Sequence, residues 1–138
     1  MRILLSFIVV CTAVALSPVA RAQDATISSS RFSGPADFQT YCASCHGATA
    51  KGDGVIAKML VKRPPDLTQL AKRNNDVFPQ DKVFKMIDGR SPGASHPGTD
   101  MPIWGDVFAK STDSPSAEAT AARITALVRH LEMSQEKR

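Results

Sequence analysis

Long apolar runs are missing from this chain. The longest runs from Ile3 to Leu16, is interrupted by Ser6 and Thr12, and stops short of the roughly 18 residues a membrane span needs. Its 138 residues are too few for a multidomain enzyme. Pro and Gly follow no collagen-like period, and no internal repeat or alternating strand pattern is present. Aromatics are scarce, with one Trp, one Tyr and six Phe. Such side chains carry much of the area of a core, so the core these can build is thin. Disorder is excluded as well, since 43% of the residues are hydrophobic.

The first 22 residues form a separate object. Arg2 gives a positive start, the apolar stretch follows, and Ala20-Arg21-Ala22 is an A-x-A cleavage pattern before Gln23. This is the plan of a secretory signal peptide, which predicts an exported, periplasmic protein. Arg2 and Arg21 leave with it, taking the 17 basic side chains to 15 against 13 acids, a net charge near +2. Nucleic-acid binding wants a clustered basic footprint, so no nucleic-acid partner is expected. Cys11 leaves too, and two cysteines remain.

Those two stand as Cys42-Ala43-Ser44-Cys45-His46. C-x-x-C-H is the attachment motif for c-type haem. Two thiols two residues apart on a helical turn reach the two vinyl groups of one porphyrin edge. The His that follows swings under the iron as proximal ligand. A dithiol redox site would want a strand before it and a βαβ context after it, which the pattern does not offer. Structural zinc needs four ligands, and only His96 and His130 follow, without a second cysteine pair.

The expected organisation is all-α. Residues 23–33 read as a flexible arm and 34–138 as the folded domain. Gly34 caps a first helix with Pro35 at its first position, and Phe38, Tyr41, Cys42 and Cys45 share a face. Gly47, Gly52 and Gly54 make a loop without the pattern of a phosphate cradle. A short helix is expected over 56–61, ended by Pro64-Pro65. Asp66 and Gln69 suggest a capping box for a helix over 67–73. A third helix covers 81–88, with Val83, Phe84 and Ile87 inward and Gly89 as its stop. Residues 91–105 read as irregular. Ser114 and Pro115 open the last helix, whose stripe Ile124, Leu127, Val128 and Leu131 packs across the first.

In this order the pieces resemble the small class I cytochromes c of bacteria. The matching residues are Phe38-x-x-Tyr41-Cys42-x-x-Cys45-His46-Gly47, Gly52-x-Gly54, Pro64-Pro65-Asp66-Leu67-Thr68, Met101-Pro102-x-Trp104-Gly105 and the final helix. The resemblance implies N- and C-terminal helices packed on each other around one haem, bound covalently through Cys42 and Cys45. It implies His46 as proximal ligand and Met101 as the sixth. Pro65, or failing it Pro64, would offer a carbonyl to the other ring nitrogen of His46. In the family the last helix often carries an aromatic that packs on the first helix, and His130 stands near that place.

Other candidates divide as follows. Met59 and Met86 fall in helical patterns and read as core, and Met133 sits in a polar C-terminal turn. His96 is the rival for the sixth position, with an exposed loop histidine as its plainer reading. Trp104 either fills the core beside the haem or offers its indole N–H to a propionate. Lys58, Lys62, Arg63, Lys72 and Arg73 either ring a haem edge or belong to a mixed solvated surface. The function expected is periplasmic electron transfer between redox protein partners rather than enzymatic turnover. The chain acts as a monomer or as the cytochrome subunit of an oxidoreductase. A ligand-binding, sensory haem protein is the remaining alternative.

Overall fold

The structure, a computed structural model, describes residues 31–91 and 101–136. The expected leader, most of the arm and His96 lie outside the described residues. Among those described there are helices and turns and no strand.

The first helix, α1 (34–46), starts one residue earlier than its sequence suggests. Ser33 is the N-cap, its hydroxyl accepting from the Ala36 N–H at 3.3 Å, and Gly34 is already helical. Serine is the better cap because it satisfies an otherwise unpaired helical donor. Gly34 has a different task. A Cβ there would run into the carbonyl of Ala126 on the last helix, so the two backbones touch where Gly34 stands. Gly34→Ala is expected to force them apart and destabilise the fold by about 1–3 kcal/mol. A thermal melt of the holoprotein checks this, and an unchanged midpoint would refute the close crossing.

Within α1 the hydrogen-bond register changes. Gly34–Asp37 and Ala43–His46 are α-helical, and Phe38–Cys42 between them is a π turn. Such turns are rare and tend to mark functional segments. This one ends on Cys42.

The segments that follow are tighter than expected. Residues 56–61 hold only a 3₁₀ turn, Ala57–Met59, and Met59 is exposed rather than core. The expected helix over 67–73 is instead two 3₁₀ turns, Leu67–Gln69 and Lys72–Asn74. Asp66 does cap the first, accepting from the Thr68 N–H at 2.9 Å and the Thr68 hydroxyl at 2.6 Å. The Gln69 side chain does not complete a capping box, because it turns to Thr68 and Glu136.

The second helix, α2 (Gln80–Asp88), and its left-handed stop at Gly89 match expectation, with Val83 and Ile87 buried and Phe84 half-buried. A third helix, α3 (Trp104–Ala109), occupies part of a stretch expected to be irregular. Pro102 and Gly105 suggested a loop, yet Pro102 lies just before the helix and Gly105 packs it against Asp88. The last helix, α4 (Ala117–Met133), is capped by Ser116, whose hydroxyl accepts from the Ala119 N–H at 3.1 Å, not by Ser114. Ser114 is buried in the preceding turn, and Met133 is the exposed last residue of α4.

The core forms where these helices meet. Phe38, Val83, Ile87, Phe108, Ile124, Leu127, Val128 and Leu131 are buried in one cluster. Helix α4 packs against the start of α1 and against α2 and α3. His130 takes the aromatic position, its ring 5.2 Å from that of Phe38. Burial pushes its pKa down, which favours the neutral ring in that contact.

Candidate haem site

The apolar faces of these helices do not close on each other. They leave a cleft of about 1050 Å³, open mouth included, walled by Phe38, Ile87, Leu127 and Leu131. A second compartment of about 960 Å³, open mouth included, shares His46, Met101 and Leu131 with it and extends towards α2, lined by Leu70, Val83 and Met86. Small-molecule and cofactor sites are mostly apolar with a few polar groups.

All six residues singled out by the sequence, Cys42, Cys45, His46, Met101, Pro65 and Trp104, line the cleft. His46, Met101 and Pro65 line both compartments, whereas Pro64 lines only the first. Cys42 and Cys45 are free thiols. Burial, with smaller contributions from Asp37 and Cys45, pushes the Cys42 thiol up to about 12. The buried His46 Nδ1 belongs to the same region. Two free thiols, an imidazole and a thioether on one apolar cleft are a donor set that fits haem c. Among the described residues no group of three His, Cys, Asp or Glu is placed to hold a metal ion by itself.

The loop after the motif explains how these groups keep their places. The Gly52 N–H donates to the His46 carbonyl at 2.7 Å, the Gly54 N–H to Cys45 at 3.2 Å and the Ile56 N–H to Ser44 at 3.1 Å. Gly52 has φ +74°, and a Cβ on it would strike the Pro64 carbonyl. Glycine alone combines that conformation with so close an approach. The motif, the loop and the Pro64-Pro65 segment are therefore locked together.

A family model described as Cytochrome c matches residues 33–132. The chain belongs to the cytochrome c family. No curated protein and no solved structure matches it significantly. The fold of this cytochrome is that of the small class I members, with its first and last helices crossing beside the cleft. Its domain is one for haem-based electron transfer, and its family is generally one of electron carriers.

Three of the cytochrome's aromatics pack on one another at one side of the cleft. Trp104 stacks on Phe108 at 5.6 Å and meets Tyr41 edge-on at 5.6 Å, and Tyr41 meets Phe108 at 5.5 Å. Trp104 is thus half-buried packing beside the cleft. Of the five cations considered, Lys62 and Arg63 reach the first compartment and Arg73 the second, while Lys58 and Lys72 are simply exposed. Lys82 of α2 also lines the second compartment, as does Met86, which is half-buried against that space rather than enclosed in the core. Their helix was legible, but the spacing of its apolar residues does not say what that face meets.

Proposed function

We propose that the chain is a periplasmic monohaem electron carrier whose haem c is held by Cys42, Cys45, His46 and Met101. The observation that carries this is the convergence of all four side chains on one apolar cleft. When bound, haem supplies a one-electron iron couple. Cys42 and Cys45 would provide the thioether sulfurs, which make its attachment permanent. The His46 imidazole would be the proximal ligand, and a Pro65 carbonyl at its other nitrogen would fix the ring's tautomer and direction. The Met101 thioether is a soft donor that favours the reduced metal. The apolar walls exclude water and favour the less charged, reduced state. Trp104 supports the cleft edge by packing, with its N–H available to a propionate.

The folded domain would occupy 34–138, behind a cleaved leader of 22 residues and a short arm. Domains of this family are commonly extracellular or periplasmic. Among the described residues no helix is long and apolar enough to cross a membrane.

An optical spectrum of the holoprotein tests the ligand set. Sharp low-spin haem c bands, with the weak sulfur-to-iron band when oxidised, are expected. Met101→Ala should remove that sulfur band, lower the midpoint potential and let reduced protein bind carbon monoxide. A wild-type spectrum without the band would discard Met101. A high-spin wild-type spectrum with gas binding would favour the sensory reading.

A second reading has one observation behind it. Val55, Met59 and Val61 are largely exposed on one short segment beside Lys58, Lys62 and Arg63. An apolar patch of this kind suits a cytochrome held as a subunit of a larger oxidoreductase. Gel filtration of the native holoprotein separates the two, since a free carrier elutes at the mass of the single chain.

A further inference from the structure

The end of α4 is fastened rather than frayed. The Gln135 side-chain amide donates to the Leu67 carbonyl at 2.9 Å and to the Leu131 carbonyl at 2.7 Å. Its oxygen accepts from the Ala71 N–H at 2.9 Å. The Glu136 N–H donates to the Thr68 carbonyl at 3.0 Å. The Glu136 carboxylate pairs with Lys51 at 3.0 Å and accepts from Gln69. Two residues therefore join the last helix to both 3₁₀ turns and to the loop after the haem motif. Short 3₁₀ turns have poor internal hydrogen bonds, so outside partners matter to them.

The chain they grip walls the cleft. Leu67 lines both compartments with His46 and Pro65. Its N–H is held by the Ala50 carbonyl at 2.8 Å and its carbonyl by Gln135. Polar residues at the end of a helix carry no such message in the sequence.

We propose that Gln135 and Glu136 form a clasp that positions the 65–67 wall beside His46, and so tunes the electron-transfer site from the end of the chain. This rests on the reading of His46 as axial ligand. They are positioning residues: neither lines the cleft, and both act through Leu67 and its neighbours. Releasing the clasp lets the wall move out and water approach, which favours the more charged, oxidised state.

The test uses full-length holoprotein, wild type and variants, measured for midpoint potential, imidazole binding to the oxidised form and melting. Gln135→Ala removes three hydrogen bonds, and Gln135→Glu keeps the acceptor while losing both donors. Both should lower the midpoint and speed imidazole binding by about threefold to tenfold, the scale of one lost hydrogen bond. Glu136→Ala, at the surface, should move both readouts the same way by less. Ala121→Gly weakens α4 far from the clasp and should lower melting alone. Wild-type midpoint and imidazole rate in Gln135→Glu and Glu136→Ala would overturn the clasp. So would equal shifts in Ala121→Gly at the same loss of melting temperature. A wild-type spectrum without histidine-ligated haem would overturn the site reading and the clasp together.

Discussion

A chain carrying Cys42→Ser and Cys45→Ser is expected to lose covalent haem entirely and, with it, a cooperative thermal transition. Both thiols open onto the same cleft, and no other cysteine lies among the described residues. Non-covalent retention would leave only the axial side chains to hold the group. The larger effect is on the fold. Leu60, Leu67, Met101 and Trp104 line the cleft and are only partly buried by the chain itself. Without the group they face water or collapse on one another, forfeiting about 25 cal/mol for each Å² of apolar area left uncovered. The surrounding core is small and thin in aromatics, with few large side chains to absorb that loss. Haem stain on a denaturing gel and a circular-dichroism melt measure the two consequences. A haem-free chain melting cooperatively at the holoprotein's midpoint would sink the argument.

Arg123→Ala is expected to destabilise the holoprotein by about 3–5 kcal/mol, the range for breaking one side of a buried ion pair. Arg123 is 4% exposed on α4. Its Nε and Nη2 donate to the two Asp37 carboxylate oxygens at 2.8 and 2.7 Å. Nη2 also donates to the Tyr41 hydroxyl at 3.3 Å. The guanidinium lies over Phe108 at 4.5 Å and over Tyr41 at 5.1 Å. Hydrogen bonding to Asp37 pushes the Arg123 pKa above its ordinary value. The planar fork thus ties α4 to α1 and steadies the aromatic wall beside the cleft. Alanine would leave the partly buried Asp37 charge without its cation, close to Cys42. Removing both partners, Asp37→Leu with Arg123→Met, should restore much of the loss, because the stranded charge is the main cost. Thermal melts of wild type, Asp37→Leu, Arg123→Met and the double variant form the cycle. A midpoint for Arg123→Ala within about 2 °C of wild type would reject the strong coupling.

Much of this cytochrome is written locally. Cys42, Cys45 and His46 stand out because the proposed thioether attachment and ligation both depend on residue type at a fixed spacing. The helices over 80–88 and 117–133 are legible because apolar residues recur at the helical period and Gly89 ends one of them. Starts of helices were read less well, since Ser33 and Ser116 compete with nearby residues of the same capping type and only backbone geometry chooses. The π turn at Phe38–Cys42 and the helix Trp104–Ala109 left no clear local trace. Both depend on what they pack against.

By itself the sequence determined the all-α class, the haem-attachment motif and the order of the pieces that make this a cytochrome c. These follow from periodicity, spacing and residue chemistry, which act within a few turns of chain. Tertiary structure alone decided that Arg123 pairs with Asp37 across 86 residues, that His130 rests on Phe38, and that Gln135 holds Leu67. Those contacts join residues far apart in the chain. Their energies come from burial and hydrogen-bond geometry, which exist only once the helices have met.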